Sequence, residues 1–178
     1  VAGDPVEAHR HGVVYSKRVF GVPFPHRYQV VVTNSYPYDV DLWQSTKGAF
    51  CGDLVVADGG TLILLTAATE GNSNYPVFPS YIGRDRKELQ QKIKMKEIEF
   101  PLLAAESVKL GALKERINLV LVSAGLTEMD ATQMGIQYYS TVEQAVADAV
   151  SRLPLSQQEK SVCVIPQAGI TLPLESTG

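Results

Sequence analysis

The sequence lacks the features that assign a function most quickly. No Gly-x-Gly-x-x-Gly follows an apolar run, and no Gly-rich loop ends in Lys-Ser or Lys-Thr, so the usual backbone cradles for nucleotide phosphates are missing. There is no Gly-x-Ser-x-Gly elbow and no defensible Ser, His and acid arrangement for acyl transfer. Cysteine is scarce: Cys51 and Cys163 are far apart and lack metal-ligand spacing. Two thiols without a secretory cue predict a reduced, mostly buried pair in a cytoplasmic protein. Histidine numbers three. His9 and His11 stand at i and i+2, about 200° apart around a helix, so they cannot jointly chelate one ion. His26, in a Pro-rich stretch, adds no ligand spacing, and no metal site is expected. No apolar run reaches about 18 residues, which excludes a helical membrane span. No basic cluster interrupts the net charge of −3, so a nucleic-acid partner has no electrostatic footprint.

What is present is ordinary soluble composition, 45% hydrophobic and 20% charged over 178 residues, enough for one domain with a real core. The chain starts at Val1, not Met, and shows no signal peptide, which suggests a fragment or an edited start.

Residues 4–19 read as a helix capped by Asp4, with Pro5 in the first turn and Glu7 able to reach back. Ala8, Val13 or Val14, Tyr15 and Val19 supply its apolar side. Residues 22–27 read as loop. Tyr28 to Thr33 is a short β-branched run, as in a strand buried on both faces. Pro37 ends it, and Asp39 is the expected N-cap of a helix from about 39 to 56, with Asp41 adding favourable charge. On that helix Leu42, Thr46, Ala49, Phe50 and Leu54 are expected to face the core, leaving Gln44, Lys47 and Cys51 on another stripe. Asp58-Gly-Gly reads as a turn before a strand at 61–66, and 67–80 as a long loop. A charged helix follows at 84–96, another at 101–116, a strand at 117–123, a loop at 124–135 and a strand at 136–139. Ser140 or Thr141 caps the next helix, where Glu143 completes a capping-box pattern. A strand at 161–165 precedes a loop or edge tail from Pro166. This alternation predicts an α/β fold, a Rossmann-like three-layer α/β/α domain with a mostly parallel sheet of about five strands.

One stretch carries most of the functional information: Asn34-Ser-Tyr-Pro-Tyr-Asp-Val-Asp-Leu-Trp-Gln-Ser-Thr-Lys-Gly48. It leaves a strand's carboxyl end, where open α/β sheets bind ligands. Gln44 and Lys47 are three residues apart and share a helix face. A cation in a helix's early turns gains nothing from the macrodipole, so an incoming anion explains Lys47 better than helix stability does. Glu70, on the loop after the next strand, is a secondary candidate beside its reading as a turn carboxylate.

The pattern Ser-Tyr-Pro-x-Asp-x-Asp-x-Trp-Gln-x-x-Lys-Gly resembles the C-terminal domain signature of the nickel-dependent lactate racemase family. Ala2-Gly-Asp-Pro-Val-Glu-Ala-His-Arg-x-Gly12, Val22-Pro23, Asp58-Gly-Gly-Thr-Leu-Ile63 and Glu70-Gly71 extend the resemblance over about the first 75 residues. It implies that residues 1–178 form a single C-terminal domain of a larger two-domain enzyme, with residues 1–20 a lead-in helix near the interdomain junction. The family racemises or epimerises 2-hydroxy acids by hydride transfer to and from a nickel pincer nucleotide. The resemblance places that cofactor, with the catalytic histidines and cofactor lysine, in an N-terminal domain not in this chain. Gln44 and Lys47 match the catalytic Gln and Lys contributed by the C-terminal domain, and Tyr36, Trp43, Ser35 and Glu70 are candidate substrate contacts. The fragment alone is expected to be inactive and to carry no cofactor. Its expected partners are its own N-terminal domain and a small 2-hydroxy acid, with no nucleic acid or membrane.

Two departures matter. Trp43 stands where a tyrosine occurs in some members, and it is the only Trp, so a later family tryptophan is missing. Both imply a reshaped pocket, open to aromatic or larger hydroxy acids. The alternative is a stand-alone small-molecule-binding or regulatory module on a Rossmann-like scaffold, not an enzyme. The two differ in the reading frame, since the enzyme needs a preceding portion of roughly 200 residues or more.

Overall fold

The computed structural model describes residues 1–72, 75–154 and 162–176. Its centre is a parallel sheet of five strands: β2 (Tyr28–Asn34), β3 (Val56–Thr66), β4 (Asn118–Ser123), β5 (Gln137–Tyr139) and β6 (Val162–Ile165). Their order is β5-β4-β3-β2-β6, with every neighbouring pair parallel. A separate two-stranded parallel ribbon joins β1 (Gly21–Phe24) to β7 (Leu172–Glu175).

Side chains alternate across the sheet. Val31, Leu62, Leu64, Leu119 and Leu121 pack on one face, and Val30, Val32, Ile63, Val120 and Val122 on the other. Covered on both faces, the central strands can be apolar at every position, which is why β2 and β3 read as unbroken hydrophobic runs. The first face is covered by α2 (Leu42–Asp53), α3 (Phe78–Gly83), α4 (Arg86–Met95), α5 (Pro101–Arg116) and α6 (Glu128–Met134). The second is covered by α7 (Val142–Ser151), through Ala145 and Ala149. The expected three-layer α/β/α arrangement is therefore present, with unequal outer layers.

Several local readings need correction. The helix expected from 39 to 56 spans only 42–53, because Asp41, not Asp39, is its cap: the Asp41 carboxylate accepts from the Gln44 amide at 2.7 Å. Its buried face contains Ser45, Gly48, Cys51 and Gly52, while Leu54 is exposed and Phe50 only half-buried. Small residues lie against the sheet because the helix approaches it closely. A Cβ on Gly52 would come within 2.4 Å of Leu62 Cδ1.

Asp58-Gly-Gly is not a turn before the strand but an irregularity within it. β3 starts at Val56, and its register against β2 shifts between Tyr28 and Val30. Gly59 supplies the positive φ of 74° at that bulge. The stretch expected to be loop at 67–80 contains the start of α3, and the one at 124–135 contains α6. At α6, Thr127 and Asp130 form a reciprocal capping box. Residues 22–24, expected as loop, lie in β1, and the tail, expected as loop or edge, supplies β7. Thr141, rather than Ser140, caps α7, accepting from Gln144 at 3.3 Å, so Gln144 and not Glu143 occupies the third helical position. Ser161 of the expected last strand lies outside the described residues.

The first helix, α1 (Pro5–Phe20), follows the expected cap: the Asp4 carboxylate accepts from Val6 and Glu7. None of its residues is buried. Val14, Tyr15 and Val19 are exposed, so its apolar side is not part of this core.

Candidate functional site

The site is built where β2 ends and α2 begins. After Asn34 the chain turns through Ser35–Tyr38, closed by the Tyr38 amide donating to the Ser35 carbonyl at 2.9 Å. The loop after β3 braces the next segment: Glu70 N–H donates to Val40 O at 2.8 Å, and Leu42 N–H donates to Gly71 O at 2.9 Å. These two bonds hold Asp41 in the extended conformation that a cap requires. α2 is then fixed from beneath. Ser35 Oγ donates to Ser45 O at 2.9 Å, and Ser45 Oγ contacts Asp41 O and Thr66 Oγ1, each at 2.6 Å.

Gln44 and Lys47 project from the opposite side of α2. They meet as the spacing predicts: Lys47 Nζ donates to Gln44 Oε1. Lys47 Nζ also lies 4.1 Å from the centre of the Tyr38 ring. The chemical result is a surface rich in donors. Gln44's oxygen accepts one ammonium N–H, which leaves the amide NH2 and the remaining ammonium hydrogens as donors. A carboxylate, or a hydroxyl or keto oxygen, is the complement of such a pair.

The other candidates separate into distinct positions. Tyr36 is half exposed on the same turn, and its backbone amide donates to Asn34 Oδ1 at 3.1 Å. Ser35 is completely buried, and its hydroxyl is committed to holding α2. Trp43 points towards α5, where its indole N–H donates to Glu106 Oε2 at 2.5 Å and its ring meets Tyr75 edge-on at 5.2 Å. Glu106 also accepts from the Thr46 hydroxyl. Glu70 is exposed, with its backbone tied to Val40. The structure thus brings together Gln44, Lys47 and Tyr38, while Trp43 belongs to an aromatic cluster and Ser35 to the floor.

Sequence reasoning did not single out Tyr38, because its contact depends on a loop conformation that spacing does not reveal. It also missed a hollow of about 430 Å³ at the carboxyl ends of β2, β3 and β4, lined by Asn34, Asp39, Thr66, Ser123, Thr141 and Glu143 among others. Gln44 and Lys47 lie outside it.

No group of three or more His, Cys, Asp or Glu among the described residues could hold a metal ion. His9, His11 and His26 are all exposed. Cys51 and Cys163 do not offer thiolates: burial, and secondarily the neighbouring Cys163, pushes the Cys51 thiol up to about 12, and burial raises Cys163. The described residues thus offer no ligand set for a nickel ion. Among the described residues, no helix is long and apolar enough to cross a membrane.

Comparisons with known proteins converge. The family model for the lactate racemase C-terminal domain matches residues 26–172. A lactate racemase from Lactiplantibacillus plantarum is 24% identical over 168 residues, covering 93% of this chain and 39% of that protein. Among solved structures, the lactate racemase apoprotein from Thermoanaerobacterium thermosaccharolyticum superposes with a TM-score of 0.77 at 20% identity, covering 94% of this chain and 40% of its own. A Thermotoga maritima protein superposes with a TM-score of 0.65 at 16% identity, covering 96% of this chain and 42% of its own. The chain therefore spans about two fifths of the length of these relatives, and the structural likenesses establish the shared fold.

Proposed function

We propose a function from one premise: the chain belongs to the lactate racemase C-terminal domain family. Within a longer protein it serves as the C-terminal domain of a 2-hydroxy acid racemase or epimerase, and Gln44 and Lys47 hold the substrate's carboxylate and hydroxyl oxygens. The observation that carries this reading is the exposed pair of donor groups held together when Lys47 Nζ bonds Gln44 Oε1. It stands on the second turn of a helix, where a cation has no dipole of its own to satisfy.

The chain's own residues bind and orient; they do not perform the bond-breaking step. Racemisation needs the Cα hydrogen to leave and return on either face, and the nickel pincer nucleotide suggested by the family resemblance would supply a hydride acceptor. That group belongs to the part of the protein outside these residues, as do the bases. By fixing both ends of the hydroxy acid, an ammonium and an amide would present Cα in one place while leaving both its faces free. Trp43, reaching towards α5, lies near Tyr75 and Phe100 and would influence substrate size only from that side.

The test is Lys47→Ala in the full-length protein. Unfolding free energy should stay within about 0.5 kcal/mol of wild type, the range for exposed sites. kcat/KM for the hydroxy acid should fall at least tenfold, or about 1.4 kcal/mol of transition-state stabilisation. Gln44→Ala should act in the same direction but more mildly, since it removes a neutral donor. Wild-type efficiency in Lys47→Ala, with losses from substitutions elsewhere on this domain, would move the site away from α2.

A further inference from the structure

Tyr38 has no role in the family signature, where its position is unassigned, yet the fold directs its ring at the site cation. Three contacts place it. The Tyr38 amide donates to Ser35 O at 2.9 Å, which closes the turn. The segment after β6 is anchored beneath it by Ala168 N–H donating to Asn34 O at 2.9 Å. Gly169 then leaves the space the ring needs, for a Cβ there would stand 2.7 Å from Tyr38 Cδ2 and 2.7 Å from Ser35 O. The ring so placed has Lys47 Nζ 4.1 Å from its centre.

A lysine side chain on an exposed helix surface samples many rotamers, and an anion must order it on binding. Here the ammonium is restrained on two sides before any ligand arrives. Gln44 Oε1 takes one N–H, and the electron-rich face of Tyr38 attracts the charge without consuming a donor in the way that a carboxylate partner would. Neutral restraints also leave the positive charge uncompensated. From this geometry we infer that Tyr38 is a positioning residue, which pre-orders Lys47 to receive the carboxylate of the substrate; this rests on the proposed role of Lys47 as the anion-holding group.

Two measurements test it together. In the 178-residue chain, with lysine side chains carbon-13 labelled at Cε, Lys47 methylene protons should show a ring-current displacement in wild type and Tyr38→Phe. In Tyr38→Leu they should move to the position of an unrestrained lysine. In the full-length protein, Tyr38→Leu should raise KM for a 2-hydroxy acid about three- to fivefold with kcat unchanged, and Tyr38→Phe should restore the wild-type KM. An unaltered Lys47 resonance in Tyr38→Leu would show that no such contact exists and overturn the inference. So would a lost ring-current displacement with unchanged KM, provided Lys47→Ala raises KM, because Lys47 would then bind without needing Tyr38. If Lys47→Ala itself leaves KM unchanged, the anion-site reading fails first and the positioning role falls with it, whatever the resonance reports.

Discussion

Gly48 of α2 lies so close to Ser35 that a Cβ added to it would stand 2.6 Å from the Ser35 hydroxyl and 3.0 Å from Leu64 Cδ1. The glycine sits one residue after Lys47, about 100° further round the helix and against the sheet, so it sets the depth at which α2, and hence the site, rests on the sheet.

Two effects of Gly48→Ala oppose each other. Alanine gains roughly 1 kcal/mol of helix propensity. The new methyl meets the backbone and hydroxyl of a completely buried residue, a clash of the overpacking kind that costs about 1–3 kcal/mol. Because Ser35 cannot retreat without losing its bond to Ser45 O, the clash should win. Chemical denaturation should therefore show a net loss of stability; a stabilised variant would mean that α2 is free to lift.

Asp130 should make part of the stability depend on acid. Burial raises its carboxyl pKa, but the Thr127 amide and hydroxyl and the Asn72 amide outweigh it and hold the group below its ordinary value. A depressed folded-state pKa contributes stability that is present above the unfolded value near 3.8 and is lost as pH falls through the lower folded value. Urea midpoints measured from pH 6 downwards should fall more steeply below about pH 4 in wild type than in Asp130→Asn. Parallel curves for the two proteins would show that the capping box contributes nothing ionic.

The cysteines offer a chemical readout of the core. With Cys51 buried and its thiol pushed up to about 12, almost none of it is thiolate at pH 8. Iodoacetamide at pH 8 should leave Cys51 unmodified in the native protein and alkylate it promptly in urea. Rapid native labelling at Cys51 would place that helix face in solvent; the sequence pattern had set Cys51 on the Gln44 and Lys47 stripe, apart from the core-facing residues.

That last contrast shows how far the sequence was legible. The span of α5 was readable to the residue, because Pro101 marks its first turn and nothing inside it breaks the pattern. The central strands were readable because both faces are buried. Gln44 and Lys47 were identifiable as neighbours because helical spacing alone decides it. Cys51 was misplaced because the same spacing says nothing of the segment near Thr171, whose carbonyl lies 3.4 Å from its sulfur. Asp39 read as the cap and Asp41 as added charge only; the loop from β3, bonded through Glu70 and Gly71, makes Asp41 the cap instead. α6 hid behind Gly125 and Gly135 despite the Thr127–Asp130 box, since glycine and polar residues also spell a loop. Tyr38 required the turn itself.

The ribbon between β1 and β7 carries a consequence for the order in which the chain assembles. It pairs Gly21 with Leu172, the two ends of nearly the whole described chain, through only four aligned residue pairs. Closing so long a loop costs entropy that four pairs cannot recover alone, so the ribbon has to wait until the five-stranded sheet has brought its ends together. α1 runs directly into β1 at Gly21 and has no buried residue of its own. Its direction relative to the sheet is thus among the last things folding decides, and it is decided from the far end of the chain.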